Sequence, residues 1–316
     1  MTSAAERMAV GLAPARAARQ IRVGERIHVV GAAGAGASAA AILAARAGAI
    51  VTACDAGGPS PYTLALDALG IHVAPQHAAS HVTAIPHPDR LAVTKALTAI
   101  DPHSPELEAA RGAGIPVEPW QQVVADAAVG RRLVGVAGTH GKSTTAGWLV
   151  HVLVAAGRDP SAFVGALLAA DDGGGAPSTA RFGAGTAFVI EADEYAGNFD
   201  AYHPDVAILT SAEWDHPDVF RDAADVGAAF ERWVRRAPAG ATLVANVGDP
   251  GVATIAAALA DWSGSIVAYA LVADADAGAG LDVHARAVTD RFTTAAGPAT
   301  AILGRVIATE RSGTTL

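Results

Sequence analysis

Apolar residues along this chain fall into short runs separated by helical stretches, with glycine and proline marking the turns between them. Residues 26–30 form an apolar run of strand type. Gly31-Ala32-Ala33-Gly34-Ala35-Gly36 follows at once and leads into an alanine-rich segment, 38–47, suited to a helix. Residues 49–53 repeat the strand pattern towards Asp55, and Gly57-Gly58-Pro59 then breaks the chain. Strand, glycine turn, helix and strand make a βαβ opening.

Further along, residues 64–69 read as helix, 71–74 as extended, 91–97 as another strand of the same sheet, and 106–113 as a helix ending at Gly114. Ile115 and Val117, flanking Pro116, give a last short strand. A second series begins with a buried-type strand at 132–137. It is followed by a helix at 142–156, whose Trp148, Leu149, Val152 and Leu153 recur at helical spacing. Strands are expected at 187–190, 206–210, 241–245 and 266–270, an amphipathic helix at 226–236, and a loop at the Asp171 to Gly175 run. Beyond 273 the sequence is low in complexity and only short strand-like runs such as 301–303 recur. The fold class expected is α/β: a Rossmann-like domain over 23–128, then a P-loop-type ATPase domain with a mostly parallel central sheet over 129–316. Residues 1–22 are expected to be a loose leader, and within the second domain the pattern weakens in the tail after 273.

Composition narrows the function classes. At 316 residues the chain exceeds a usual single domain, and 51% hydrophobic residues with 17% charged fit a globular α/β protein. A formal net charge of −9 argues against a nucleic-acid partner, which would call for a basic face. The single cysteine, Cys54, excludes an internal disulfide, reads as a packing residue and fits a reducing, cytoplasmic location. No apolar run is long enough to predict membrane insertion. Oligomeric state is not readable from the sequence.

Three segments carry candidate chemistry. In the first, Gly138-Thr139-His140-Gly141-Lys142-Ser143-Thr144 places a glycine-rich turn between a strand and a helix, with a lysine and a hydroxyl where the helix begins. Successive backbone N–H groups and the helix N-terminus then face an anion, Lys142 can reach terminal phosphates and Ser143 can hold Mg²⁺. The common phosphate-loop pattern has its first glycine where this chain has Val136, so the string is a variant. The second and third segments are acidic: Glu191, Asp193 and Glu194 at one strand end, and Glu213, Asp215 and Asp218 with His216 at another. Oxygen ligands suit Mg²⁺, and a second metal can take a histidine. Solvated loop acids are the bland alternative.

The Gly31 loop is weaker as a signal. Gly31, Gly34 and Gly36 with Asp55 about twenty residues on resemble a dinucleotide fingerprint of altered spacing. Tight packing of a helix on a sheet also needs glycine. Histidines elsewhere, including His28, His72, His81, His151 and His284, read as ordinary core or surface residues.

Together, GTHGKSTTAG, FVIEADEY and AEWDHPD resemble the Mur ligases of peptidoglycan synthesis, over about residues 26–270. Within that family the sequence looks most like the branch that joins L-alanine to UDP-N-acetylmuramate. A close branch that joins a recycled tripeptide to the same sugar nucleotide shares two of the motifs. The resemblance implies an ATP-dependent amide ligase. ATP would phosphorylate the substrate carboxylate, and the amine of L-alanine would attack the acyl phosphate. It further implies Lys142, Glu191 and His216 as catalytic residues, and Ser143, Glu191 and His216 as metal-binding residues. Gly138 to Thr144 would bind ATP, and Gly31, Ala32, Gly34, Ala35, Gly36, Asp55, Asp193 and Glu194 would bind substrate.

The sequence also departs from the family. Ala33 and Ala37 stand where a glycine and a methionine are usual, Thr210-Ser211 replaces Thr-Asn, and Thr94-Lys95-Ala96-Leu97 replaces Ser-Ser-Ala-Ile. The opening motif of the family's third, amino-acid-binding domain does not occur before Leu316, so that domain is expected to be absent and the chain to be the front part of a ligase. Two rivals follow: a nucleotide-binding module without turnover, and a nicotinamide-dependent enzyme using the Gly31 loop.

Overall fold

The structure, a computed structural model, describes residues 8–170, 175–271, 281–304, 308–310 and 313–315. By packing, the chain does not divide at 128/129. One compact unit comprises Met1–Leu133, Ser143–Glu191 and Tyr195–Tyr202, and the other Val134–Lys142, Ala192–Glu194 and His203–Leu316.

In the first unit, β1 (Arg26–Val30), β2 (Ile50–Cys54), β3 (Val73–Ala74), β4 (Arg90–Val93) and β5 (Val117–Pro119) form a sheet of order β3-β2-β1-β4-β5. Every pairing is parallel. Parallel strands are covered on both faces, which is why β1 and β4 are buried almost throughout and apolar apart from Arg26, His28 and Arg90. Among the described residues the sheet is accompanied by α1 (Ala35–Arg46), α2 (Leu64–Asp67), α3 (Ser80–Thr83), α4 (Lys95–Ile100), α5 (Pro105–Gly112) and α6 (Trp120–Ala127). One apolar cluster joins Val30, Leu91 and Val93 of the sheet to Leu107 and Ala110 of α5. The strand expected over 91–97 stops at Val93, because Thr94 turns into an N-cap whose side chain accepts from Ala96 N–H and α4 begins there.

The chain then runs through β6 (Arg132–Ala137) and α7 (Lys142–Ala155). Three more strands belong to the first unit: β7 (Ser161–Leu168), antiparallel to β8 (Ser178–Arg181) and parallel to β9 (Ala187–Glu191). The sequence pattern does not predict α6, β7 or β8. Helix α1 packs on both α6 and β8. Gly36 makes this approach close, since a Cβ there would lie 2.1 Å from the Trp120 ring. Residues 171–174 of the expected loop lie outside the described residues.

Arg16 and Arg19, expected in a loose leader, are instead tied down by charge. The Arg16 guanidinium pairs with Glu118 at 2.7 Å and with Asp126 at 2.8 Å, and Arg19 pairs with Glu25 at 2.5 Å. Burial opposes ionisation of Glu25, but bonds from Arg19 and from the Arg22 N–H, with Arg90 nearby, bring its carboxyl from an ordinary 4.5 down to about 2. A depressed carboxyl adds stability above its unfolded value and loses it as pH falls towards the folded value. The urea midpoint is therefore expected to fall as the pH drops from about 4.5 to about 2, and to fall less in Glu25→Gln.

In the second unit, β6 with β10 (Val206–Leu209), β11 (Thr242–Asn246), β12 (Ser265–Leu271) and β15 (Thr300–Gly304) run in the order β15-β12-β11-β10-β6, all parallel. A small hairpin of β13 (Thr293–Thr294) and β14 (Gly297–Pro298) precedes β15. Helix α8 (Ala223–Arg235) begins at Asp222, whose side chain accepts from Asp225 N–H, and buries Val226, Ala229, Phe230, Trp233 and Val234 at helical spacing. Gly135 of β6 leaves room for the Trp233 ring, which a Cβ would meet at 2.9 Å. Helices α9 (Pro250–Ala258) and α10 (Leu281–Arg291) are likewise not predicted by the sequence pattern. Residues 273–280 of the low-complexity stretch lie outside the described residues.

Candidate active site

The glycine-rich loop leaves the carboxyl end of β6 and enters α7, as its sequence context requires. Gly138 has φ +139° and Gly141 φ +79°, conformations that side chains rarely adopt. A Cβ on Gly138 would lie 2.1 Å from Thr210 Oγ1 and 2.9 Å from Ser211 N, so the neighbouring strand end closes directly over the loop.

Thr210 and Ser211 hold that loop. The Thr210 hydroxyl lies 2.6 Å from the His140 carbonyl and 3.1 Å from that of Ala137, a donor position for either. Ser211 Oγ accepts from His140 N–H at 2.9 Å, and the Ser211 carbonyl accepts from Thr139 N–H at 3.2 Å. The Thr139 hydroxyl bridges both backbone groups of Glu213 at 3.0 Å. Asn246, at the end of β11, donates to the Thr210 carbonyl at 2.9 Å. From the sequence, Thr210-Ser211 stands out only as a departure, and Asn246 not at all. Polar residues at carboxyl ends of parallel strands were the available signal, because ligands bind there in open α/β sheets.

In the second unit, Lys142 Nζ donates to Glu194 Oε2 at 3.0 Å and lies 3.8 Å from Asp193 Oδ1. His216 Nε2 is 4.0 Å from Glu194 Oε1. Asp193, Glu194 and His216 thus form one group of potential metal ligands. Burial raises the Glu194 carboxyl above its ordinary value, with Lys142 pulling the other way. This pair is a buried charge with a single cation against it. His216 has φ +55°, a left-handed conformation uncommon outside glycine, and its N–H donates to Asp215 Oδ1 at 2.7 Å. That bond holds the Asp215 carboxyl below its ordinary value.

In the first unit, the next residue after Lys142 takes part in a separate arrangement. Ser143 Oγ donates to Glu191 Oε1 at 2.9 Å, and Gly165 N–H donates to Glu191 Oε2 at 2.6 Å. A hydroxyl and a carboxylate in contact at the first turn of a phosphate-loop helix have the donor set that suits Mg²⁺. Of the three residues expected to bind metal, Ser143 and Glu191 meet here. His216 stands with Asp193 and Glu194, which were expected to bind substrate.

The Gly31 loop is tied to the end of β2. Gly31 and Ala32 donate to the Cys54 carbonyl at 2.9 and 3.1 Å, and Asp55 accepts from Ala33 N–H at 2.8 Å and Gly57 N–H at 2.7 Å. Gly31 has φ +85°, and a Cβ there would meet Thr94 at 2.3 Å. Asp55 is thus part of the loop's own scaffold. Ala32 is fully buried, Gly36 sits against Trp120, and the Ala35 carbonyl accepts from Thr179 at 2.8 Å. No described helix is long and apolar enough to cross a membrane.

Comparison with known proteins bears on both loops. Residues 26–132 match the model of the Mur ligase family catalytic domain, and residues 136–305 that of the Mur ligase middle domain. A UDP-N-acetylmuramate–L-alanine ligase of Frankia casuarinae is 38% identical over 279 residues, covering 86% of this chain and 53% of the relative. One from Kineococcus radiotolerans is 42% identical over 231 residues, covering 73% of this chain and 47% of the relative. The chain spans about half the length of the curated relatives it matches. Among solved structures, the UDP-N-acetylmuramate:L-alanyl-gamma-D-glutamyl-meso-diaminopimelate ligase of Neisseria meningitides superposes with a TM-score of 0.67 at 27% identity, covering 78% of each chain. The UDP-N-acetylmuramate-alanine ligase MurC of Thermotoga maritima gives 0.63 at 25% identity, covering 78% of this chain and 52% of that one.

Proposed function

The chain belongs to the Mur ligase family, and on that premise we propose that it binds Mg·ATP at the Gly138–Ser143 loop and serves the ATP-dependent joining of L-alanine to UDP-N-acetylmuramate. The observation that carries this reading is the Ser143–Glu191 hydrogen bond of 2.9 Å at the start of α7, immediately after Lys142. Gly138 and Gly141 let the loop turn tightly while Ser211 holds the Thr139 and His140 N–H groups, so the N–H groups at the start of α7 would face phosphate oxygens and Lys142 would add positive charge. Ser143 and Glu191 would hold Mg²⁺, which supplies positive charge to neutralise phosphate oxygens in the transferring group. His216, with Asp193 and Glu194, would hold a second cation or its water.

Positioning and charge neutralisation account for most catalysis of phosphoryl transfer, so no covalent attachment to the protein is called for. The product would be an acyl phosphate on the sugar-nucleotide carboxylate, open to attack by an amine. The Gly31 loop would take the UDP part, with Asp55 shaping the loop that receives it. A cytoplasmic location fits a reaction on nucleotide-activated substrates.

A second reading, ligation of a peptide to the same sugar nucleotide, is favoured by the likeness to the Neisseria enzyme. Calorimetry of the purified chain with UDP-N-acetylmuramate and with Mg·ATP separately is expected to show one site for each. ADP release with L-alanine or with the tripeptide as acceptor then separates the two readings. Absence of heat with Mg·ATP would remove both.

A further inference from the structure

A second cluster of chemically capable side chains lies in the first unit, between the sheet and helices α3 and α5, and the proposed ligase reaction does not use it. Its centre is Glu106, in the first turn of α5, whose side chain is completely buried. His28 Nε2 lies 2.8 Å and His81 Nδ1 2.7 Å from Glu106 Oε1. The Cys54 thiol donates to Oε2 at 3.3 Å. One ligand atom each from His28, Cys54, His81 and Glu106 falls within 4.8 Å of all the others. His77 Nδ1 stands outside them, 3.3 Å from Cys54 Sγ and 3.4 Å from Glu106 Oε2.

We propose that His28, Cys54, His81 and Glu106 form a four-ligand structural zinc site. Two imidazoles, a thiolate and a carboxylate are the donor types that zinc takes in tetrahedral geometry, and four protein ligands leave no open position for catalysis. Charge gives an independent argument. A buried carboxylate is costly unless a cation faces it. One Zn²⁺ against one thiolate and one carboxylate is neutral, with both imidazoles uncharged and the thiol proton lost to solvent.

The surroundings match as well. His28 Nδ1, the ring nitrogen away from the cluster, lies 2.7 Å from the Thr52 hydroxyl. Metal-bound histidines almost always use their second nitrogen in this way, which fixes the ring with its lone pair on the metal. The hydroxyl can donate or accept, so it serves the ring with or without metal. The half-buried His81 and His77 side chains give the cluster a route to solvent.

The chain has one cysteine, which makes the test specific. Full-length protein freed of metal under reducing conditions is titrated with Co²⁺ and followed by absorption. One equivalent is expected to give the visible bands of tetrahedral cobalt together with a near-ultraviolet thiolate-to-cobalt charge-transfer band, and Zn²⁺ should displace both. The acidic group around His216 has no sulfur and cannot give the charge-transfer band. Thr52→Val is expected to keep that band but bind Zn²⁺ about 10- to 100-fold more weakly. Wild-type protein that takes up no cobalt, or takes it up without the thiolate band, overturns the proposal. The network is then a carboxylate held by hydrogen bonds from the histidines and the Cys54 thiol alone. Because the titration uses the unmutated chain, its outcome does not depend on whether Cys54→Ser folds.

Discussion

Replacing Arg90 with methionine is expected to lower the free energy of unfolding by about 3–5 kcal/mol, the range for removing one member of a buried ionic network. Arg90 begins β4, and its side chain is only 2% exposed. It reaches Glu118 at 2.8 Å, Asp126 at 2.5 Å and Glu25 at 3.0 Å. Without it, three buried carboxylates share three arginines, Arg16, Arg19 and, at 3.9 Å, Arg22, each of which is partly solvated. The loss comes mainly from the acids left behind. Methionine covers much of the apolar stem, so packing is largely conserved. Urea, which does not screen charge, is the suitable denaturant. Arg16→Met should cost less, since that side chain is about one-third exposed. An Arg90→Met midpoint indistinguishable from that of the parent would show that the network contributes no net stability.

Lys142→Ala is expected to weaken Mg·ATP binding by about 1.5–3 kcal/mol, or roughly 10- to 100-fold in Kd, as for loss of a hydrogen bond to a charged group. Gly138→Ala should be at least as damaging for a different reason. The new Cβ would meet Thr210 Oγ1 at 2.1 Å on a backbone with φ +139°, so the loop has to move while Lys142 is retained. Calorimetry reads both variants, and circular dichroism confirms that they fold. Unaltered ATP affinity in Lys142→Ala would end the assignment of this loop to triphosphate. In that variant Glu194 also loses its closest cation. Its carboxyl, already raised by burial, should rise further. A raised carboxyl contributes stability at low pH that disappears as pH increases through its folded value. Lys142→Ala should therefore compare best with the parent protein below the folded value of Glu194 and worst above it.

The phosphate loop is legible in the chain because its parts are contiguous: strand, glycines, lysine, hydroxyl and helix lie within one short string. The βαβ opening is equally local. Contacts made across long sequence separations are not legible. Only the family resemblance joins Ser143 to Glu191, 48 positions away, and nothing near His28 points to Glu106, 78 positions away. In sequence, His28, Cys54 and His81 read as core or surface groups because each is commonplace by itself. The apolar run 91–93 suggests a strand carried on to 97, and a single threonine cap at 94 ends it. The family resemblance puts Asp193 and Glu194 with the substrate, whereas both lie beside Lys142 and Glu194 lies also beside His216.

The pairing of Thr210 with the phosphate loop also determines which sequence changes the protein can absorb. Strands β6, β10 and β11 are aligned residue by residue, with Ala137 beside Leu209 and Leu209 beside Ala245, and the loop's supports leave the very next positions of β10 and β11. Volume-conserving exchanges inside these strands leave that alignment intact. A one-residue deletion in β10 would shift Thr210 off the Ala137 and His140 carbonyls and turn every following side chain to the opposite face. Sequence drift in this unit should therefore run to substitutions within the strands and to length changes in the loops at their amino ends, with the strands themselves kept at constant length.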